Sequence, residues 1–186
     1  MDASYQELVS TVVRSPEPNL ISAATGGDEG AFDALVGPLI EPGYKLAVVM
    51  LRDAEEARDA VQEACLIAWK KLAQLRTERG LRPWFLAIVA NQCRTRRRTR
   101  WWSVMTLPSI RVEPAMTHSD LDSDLDLDRE LRKLSATERA ALLLFFHMDL
   151  PLVEVARVLK VSPHAAKSRV HRAVVKLRMS MVEVPQ

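Results

Sequence analysis

Glycine and aromatic residues are scarce in this sequence. Six glycines and 5% aromatic residues stand against an abundance of Ala, Leu, Val and Arg. That balance favours helices. No Gly-rich phosphate loop is present, and no nucleophile–base pair stands out, so no catalytic residue and no cofactor is assigned. There are two cysteines, Cys65 and Cys93, both inside helical patterns. They form no C-x-x-C pair, and none of the four histidines sits at ligand spacing from either thiol. That excludes a disulfide framework and argues against a metal site. Reduced core thiols suit the cytoplasm. The N-terminus lacks a basic-then-apolar signal layout, and no apolar run approaches the roughly 18 residues a bilayer span needs. No membrane insertion is expected.

Charge, by contrast, is plentiful and segregated. The formal net charge of the 186 residues is only +2. Residues 76–102 carry eight arginines against Glu78, a net of +7. Residues 113–130 carry seven acids against Arg129, a net of −6. Residues 151–186 carry seven Lys/Arg against Glu154 and Glu183, a net of +5. Two basic segments around an acidic one point to a polyanion touched at two places.

The helical pattern is punctuated by clear signals. Residues 1–17 form a weak arm. A helix turn or two from Leu20 stops at Gly26-Gly27, and Asp28 can cap the next helix. Pro38 and Pro42-Gly43 are expected to break or kink that helix, with a short helix from Tyr44 to Leu51 beyond them. Asp53 caps a strongly periodic helix to about Leu75, with Ala57, Ala60, Val61, Ala64 and Leu72 inward. A basic turn, Arg76 to Arg82, leads to a helix starting at Pro83 that runs through "RTRRRTRWW", Arg94 to Trp102. Residues 103–121 lack a sustained period and read as a linker. The later aspartates of "DLDSDLDLD", Asp120 to Asp128, open a helix, where negative charge suits the N-terminus.

The last third carries the most informative pattern. Ser135 and Glu138 form a capping box. "LVEVARVL" makes a two-turn helix, "KVS" a tight turn, and Ser162-Pro163 starts a long basic helix. Two helices joined this way describe a helix-turn-helix. In the second helix Ala166, Val170, Ala173 and Leu177 form an apolar stripe. His164, Ala165, Lys167, Ser168, Arg169, His171, Arg172 and Lys176 take the other faces. Small residues at its start admit base edges, and Arg and Lys neutralise phosphates.

The segment "LSATERAALLLFFHMDLPLVEVARVLKVSPHAAKSRVHRAVVKLR" resembles region four of the sigma-70 family, in its extracytoplasmic-function (ECF) branch. "GDEGAFDALV", "ARDAVQEACLIAWKKL" and "RPWFLAIVANQCRTRRRTR", in that order, resemble region two. The resemblance implies an all-α protein of two small helical domains joined by a flexible linker. The expected divisions are an arm at 1–19, region two at 20–102, a linker at 103–123 and region four at 124–182. It implies a subunit that binds core RNA polymerase, through the β′ clamp helices and the β flap, and promoter DNA. The −10 element would be read as a melted strand and the −35 element as duplex. An anti-sigma factor fits the same resemblance. Residue by residue, it places Asp59, Gln62 and Glu63 in the polymerase-binding patch. It places Arg79, Arg82, Trp84, Asn91, Arg94, Arg97 and Arg98 on the −10 strand. It places His164, Ala165, Lys167, Ser168, Arg169, Arg172 and Lys176 on the −35 duplex.

This sequence departs from the family pattern in places. Arg58 stands where an acid is usual, Lys160 where the turn usually has Gly, and His164-Ala165 replace a commoner Gly-Thr. A left-handed backbone at Lys160 would cost on the order of 1 kcal/mol. Trp84 is either a core anchor or a stacking platform. Trp101 and Trp102 either stack on bases or close the domain edge. Asp120 to Asp128 either mimics nucleic acid in a polymerase channel or spaces the domains. The competing reading is a stand-alone helix-turn-helix regulator with a helical sensor upstream, which leaves Asn91 and the arginine block unexplained.

Overall fold

A computed structural model describes residues 18–75, 80–106 and 125–182, with side chains for 19–75, 80–99 and 129–179. Among the described residues every regular element is helical. In chain order these are α1 (Pro18–Thr25), α2 (Glu29–Leu51), α3 (Ala54–Lys71, tightening into a 3-10 turn over Leu72–Gln74) and α4 (Leu81–Thr106). After the undescribed segment come α5 (Leu125–Lys133), α6 (Ala136–Leu142, widening into a π-helical turn over Leu143–His147), α7 (Leu152–Leu159) and α8 (Pro163–Val182).

The start signals read from the sequence act as capping chemistry requires. The Asp28 carboxylate accepts from the Ala31 N–H at 2.9 Å. Asp53 accepts from the N–H groups of Glu55 and Glu56, each at 3.0 Å. Ser135 and Glu138 bond reciprocally, with Ser135 N–H to Glu138 Oε2 at 2.9 Å and Glu138 N–H to Ser135 Oγ at 3.2 Å. Each cap satisfies donors that the first helical turn leaves without partners.

The expected break at Pro38 and Pro42 does not occur. Both prolines lie inside α2, which runs unbroken for 23 residues. Each removes one helical hydrogen bond, a cost of roughly 3 kcal/mol in an exposed helix. Burial offsets it, because Phe32, Leu35 and Val36 before the prolines and Leu46, Ala47 and Met50 after them are all core residues. By length and composition alone α2 would suffice to cross a membrane, a feature masked in the sequence by its prolines and glycines. Here it is the central helix, packed against α1, α3, α4 and α6.

Gly43 explains how α2 and α4 come so close. A Cβ there would lie 3.0 Å from Phe85 Cε1 and 3.3 Å from Val89 Cγ2. Phe85 is completely buried and cannot yield. Leu86, Val89, Ala90 and Cys93 continue the inward face of α4. This helix starts two residues before Pro83 and extends to Thr106, past the expected linker boundary at 103.

The C-terminal half packs α8 across α6 and α7. Ala166, Val170 and Ala173 face inward, as the apolar stripe requires. Lys160 does adopt left-handed backbone, φ 54° and ψ 52°. The halves do not stand apart: α4 packs on α7 and α2 on α6, and their buried residues form one cluster.

Two expectations follow. Gly43→Val should overpack the α2–α4 contact and lower stability by about 2 kcal/mol, seen as a lower melting temperature by circular dichroism. The second concerns Glu138, which is 6% exposed. Burial raises its pKa, but the Lys176 ammonium at 2.8 Å and the Ser135 N–H and hydroxyl outweigh burial and bring it to about 2 from the usual 4.5. A carboxylate depressed on folding stabilises the fold above its unfolded pKa and loses that contribution as pH falls towards its folded pKa. Glu138→Gln should therefore flatten the stability loss between pH 4.5 and about 2. Solvent around Lys176 keeps the effect on the order of 1 kcal/mol.

Candidate nucleic-acid interface

Three surfaces collect the candidate residues. The first is the outward face of α3, where Asp59, Gln62 and Glu63 are all exposed because the alanine stripe opposite them faces the core. Arg96 of α4 reaches across to Asp59, Nη1 to Oδ2 at 3.4 Å. Sequence reasoning missed two neighbours on this face, Leu66 and Trp69, exposed by 52% and 37%. The Trp69 ring stands edge-on to Phe32 with centroids 5.0 Å apart, which fixes its orientation. The available signal was spacing: Leu66 and Trp69 follow Gln62 and Glu63 by helical steps, off the alanine stripe.

The second surface is α4 beyond Arg82. Trp84 is partly buried and packs on the core, which favours the anchor reading over the stacking one. Arg97 and Arg98 are exposed. Asn91 and Arg94 are not open to solvent in the same way. The Asn91 side-chain oxygen accepts from Lys160 Nζ at 2.9 Å. Arg94 Nη1 donates to the carbonyls of Val158 and Leu159, at 3.5 and 3.4 Å. Burial lowers the Arg94 pKa, with Cys93 opposing. Its Nη2 is buried without a hydrogen-bond partner. Arg79, the side chains of Trp101 and Trp102, and Asp120, Asp122 and Asp124 lie outside the described residues. The start of α5 at Leu125 agrees with a helix opening among the later aspartates.

The third surface is the helix-turn-helix. The turn is closed by Val161 N–H to Ala156 O at 2.9 Å, and Ser162 Oγ accepts from Ala165 N–H at 3.1 Å. His164, Lys167, His171 and Arg172 are exposed on α8, with Ala165 and Ser168 partly so. Two expected contact residues sit differently. Lys176 Nζ is held by Glu138 at 2.8 Å, against the α6 scaffold. Arg169 has its Nη1 buried without a hydrogen-bond partner.

The thiols take no part in these surfaces. Burial pushes Cys93 up to about 12. It also raises Cys65, helped by Asp33. Among the described residues no group of three His, Cys, Asp or Glu side chains could hold a metal ion.

Residues 37–103 match the model of Sigma-70 region 2, and residues 124–177 that of Sigma-70 region 4. The chain is 30% identical over 158 residues to the ECF RNA polymerase sigma factor SigM of Mycobacterium tuberculosis, covering 84% of this chain and 80% of that one. It is 27% identical over 171 residues to SigL of the same species, covering 88% and 96%. Two solved structures share the fold. The sigma factor RpoE of Bartonella quintana, in complex with the anti-sigma factor NepR, superposes with a TM-score of 0.72 at 22% identity, over 83% of this chain and 98% of that one. CnrH, in complex with the cytosolic domain of CnrY, gives 0.63 at 22% identity, over 89% and 97%. A stand-alone regulator would leave the first half without its match. The chain belongs to the ECF sigma factors of the sigma-70 family.

Proposed function

We propose how the surfaces of this chain divide the work of an ECF sigma factor, which directs promoter-specific transcription initiation. Residues 20–102 form the module that docks on core polymerase and takes the −10 strand, and residues 124–182 the module that reads the −35 duplex. The protein is a regulatory subunit rather than an enzyme, and it acts where polymerase does, in the cytoplasm.

One observation supports this division most directly. The outward faces of α3 and α8 are chemically opposite: α3 presents acids and exposed apolar side chains, and α8 presents His164, Lys167 and Arg172. The α3 face suits a basic protein partner. Asp59, Gln62 and Glu63 supply complementarity, and Leu66 and Trp69 supply the apolar anchor that carries most affinity in such contacts. The α8 face suits a duplex, with exposed side chains along its N-terminal half for base edges and phosphates. On α4, Arg97 and Arg98 neutralise phosphates of the −10 strand and set salt dependence more than sequence choice. Asn91 and Arg94 would join them once uncovered. Lys176 acts as a brace for Glu138 instead of a phosphate contact. The two solved sigma factors of this fold are bound to NepR and to CnrY, so an anti-sigma partner is proposed here as well.

Leu66→Ala with Trp69→Ala should weaken binding to core polymerase at least tenfold, measured by titration with purified core enzyme. Leu66→Ala alone, at a side chain 52% exposed, controls for loss of the Trp69–Phe32 ring contact. Arg97→Ala with Arg98→Ala should lower the slope of log affinity against log salt for open-complex formation by about 1 to 2 while leaving promoter choice intact. A changed promoter preference with an unchanged slope would place these arginines on bases instead.

A further inference from the structure

The exposed row on α3 has an apolar segment of this same chain close to its end. Leu66 and Trp69 lie one helical turn apart, exposed by 52% and 37%. Trp69 stands edge-on to Phe32, so its outer face is presented at a fixed angle and costs a partner little to order. Helix α1 packs on α2 and on the 3-10 turn Leu72–Gln74 that continues α3. Trp69 precedes that turn by three residues. The eight residues of α1 span about 12 Å. Pro18, where the described chain begins, is therefore delivered near the Trp69 end of α3.

The 17 residues before Pro18 carry their own pattern. Tyr5, Leu8, Val9, Val12 and Val13 recur at steps of 3, 1, 3 and 1, the apolar face of an amphipathic helix. Gln6, Glu7, Ser10, Thr11 and Arg14 take the other faces. A helix over residues 5–13 would be about 14 Å long, enough to cover Leu66 and Trp69 together. Pro16 and Pro18 disfavour helical backbone at Ser15 and Glu17. The stretch from Arg14 to Glu17 is thus a connector that can reach about 13 Å when extended. Charge agrees with this placement. Asp2, Glu7 and Glu17 stand against Arg14 in the arm, a net of −2, and Trp69 is followed by the exposed Lys70 and Lys71. The far end of the row carries Asp59 and Glu63, which repel an acidic arm.

We infer that residues 5–13 dock as an amphipathic helix on Leu66 and Trp69, so that the chain carries a tethered competitor for its own polymerase-binding face. A short tether holds the arm at an effective concentration on the order of millimolar, so a weak intrinsic contact suffices. The competition rests on the assignment of Leu66 and Trp69 to core polymerase; the docking does not.

Two measurements on the full chain test this. With p-benzoylphenylalanine in place of Tyr5, irradiation should crosslink the arm within one chain to the peptide bearing Leu66 to Lys71, as mapped by mass spectrometry. Leu8→Asp with Val12→Asp should abolish that crosslink. The same pair should raise affinity for purified core polymerase about threefold to tenfold, because the open face is no longer a minor state. Deletion of residues 2–13 should raise it equally, which separates loss of the apolar face from any effect of the new aspartates. A crosslink to another part of the chain, or none, overturns the docking. A crosslinked dimer would seat the arm on a second copy and overturn it as an intrachain contact. Weaker core binding by both variants would make the arm part of the polymerase contact and overturn the competition. The expected crosslink with core affinity unchanged in both variants would leave the docking standing and remove Leu66 and Trp69 from the polymerase face.

Discussion

The close approach of α2 and α4 at Gly43 determines where the other parts stand. With Phe85 Cε1 only 3.0 Å from the place of a Cβ, the two helices touch nearly backbone to side chain. That contact sets the height of α4 above the core, and with it the turn of the helix on which Asn91 and Arg94 emerge. The same buried α2 carries α3 on one flank, so the exposed row from Asp59 to Trp69 is oriented by it too. On another flank it meets α6, the first scaffold of the C-terminal half. A helix with two interior prolines does this because its stability comes from burial along both halves, not from an unbroken ladder of hydrogen bonds.

Much of this architecture was legible in the residues themselves. Capping oxygens at Asp28, Asp53, Ser135 and Ser162 are local chemistry, and local chemistry survives translation into structure. The alanine stripe of α3 and the apolar stripe of α8 likewise report their inward faces directly. Pro38 and Pro42 misled because proline penalties are learned from exposed helices, while the compensation here is tertiary. The end of α4 was placed too early because Ser103 to Thr106 carry no periodic apolar signal. Of the candidate surfaces, the exposed basic face of α8 could be read in advance as a face. The roles of Lys176 and Arg94 could not, since their partners are Glu138, 38 residues away, and carbonyls 64 and 65 residues away.

Carbonyl capping across the two halves also shows how basic side chains can join them by bonding to helix ends. Arg94 and Arg139 each donate to carbonyls at a helix end of the other half, whose partial negative charge serves where a carboxylate would otherwise be needed. Carboxylates are thereby left for other work: Glu138 braces α6 against Lys176, and Asp59 stays on the outer face beside Arg96.

The buried thiol of Cys93 bears on how such a protein can receive information. It lies at 0% exposure in the middle of α4, with its pKa pushed up to about 12. Cys65, the other cysteine, is also shifted away from the thiolate. A peroxide or an electrophile reacts with thiolates, so burial shields the Cys93 sulfur from both. Burial thus reserves the Cys93 sulfur for packing on the inward face of α4.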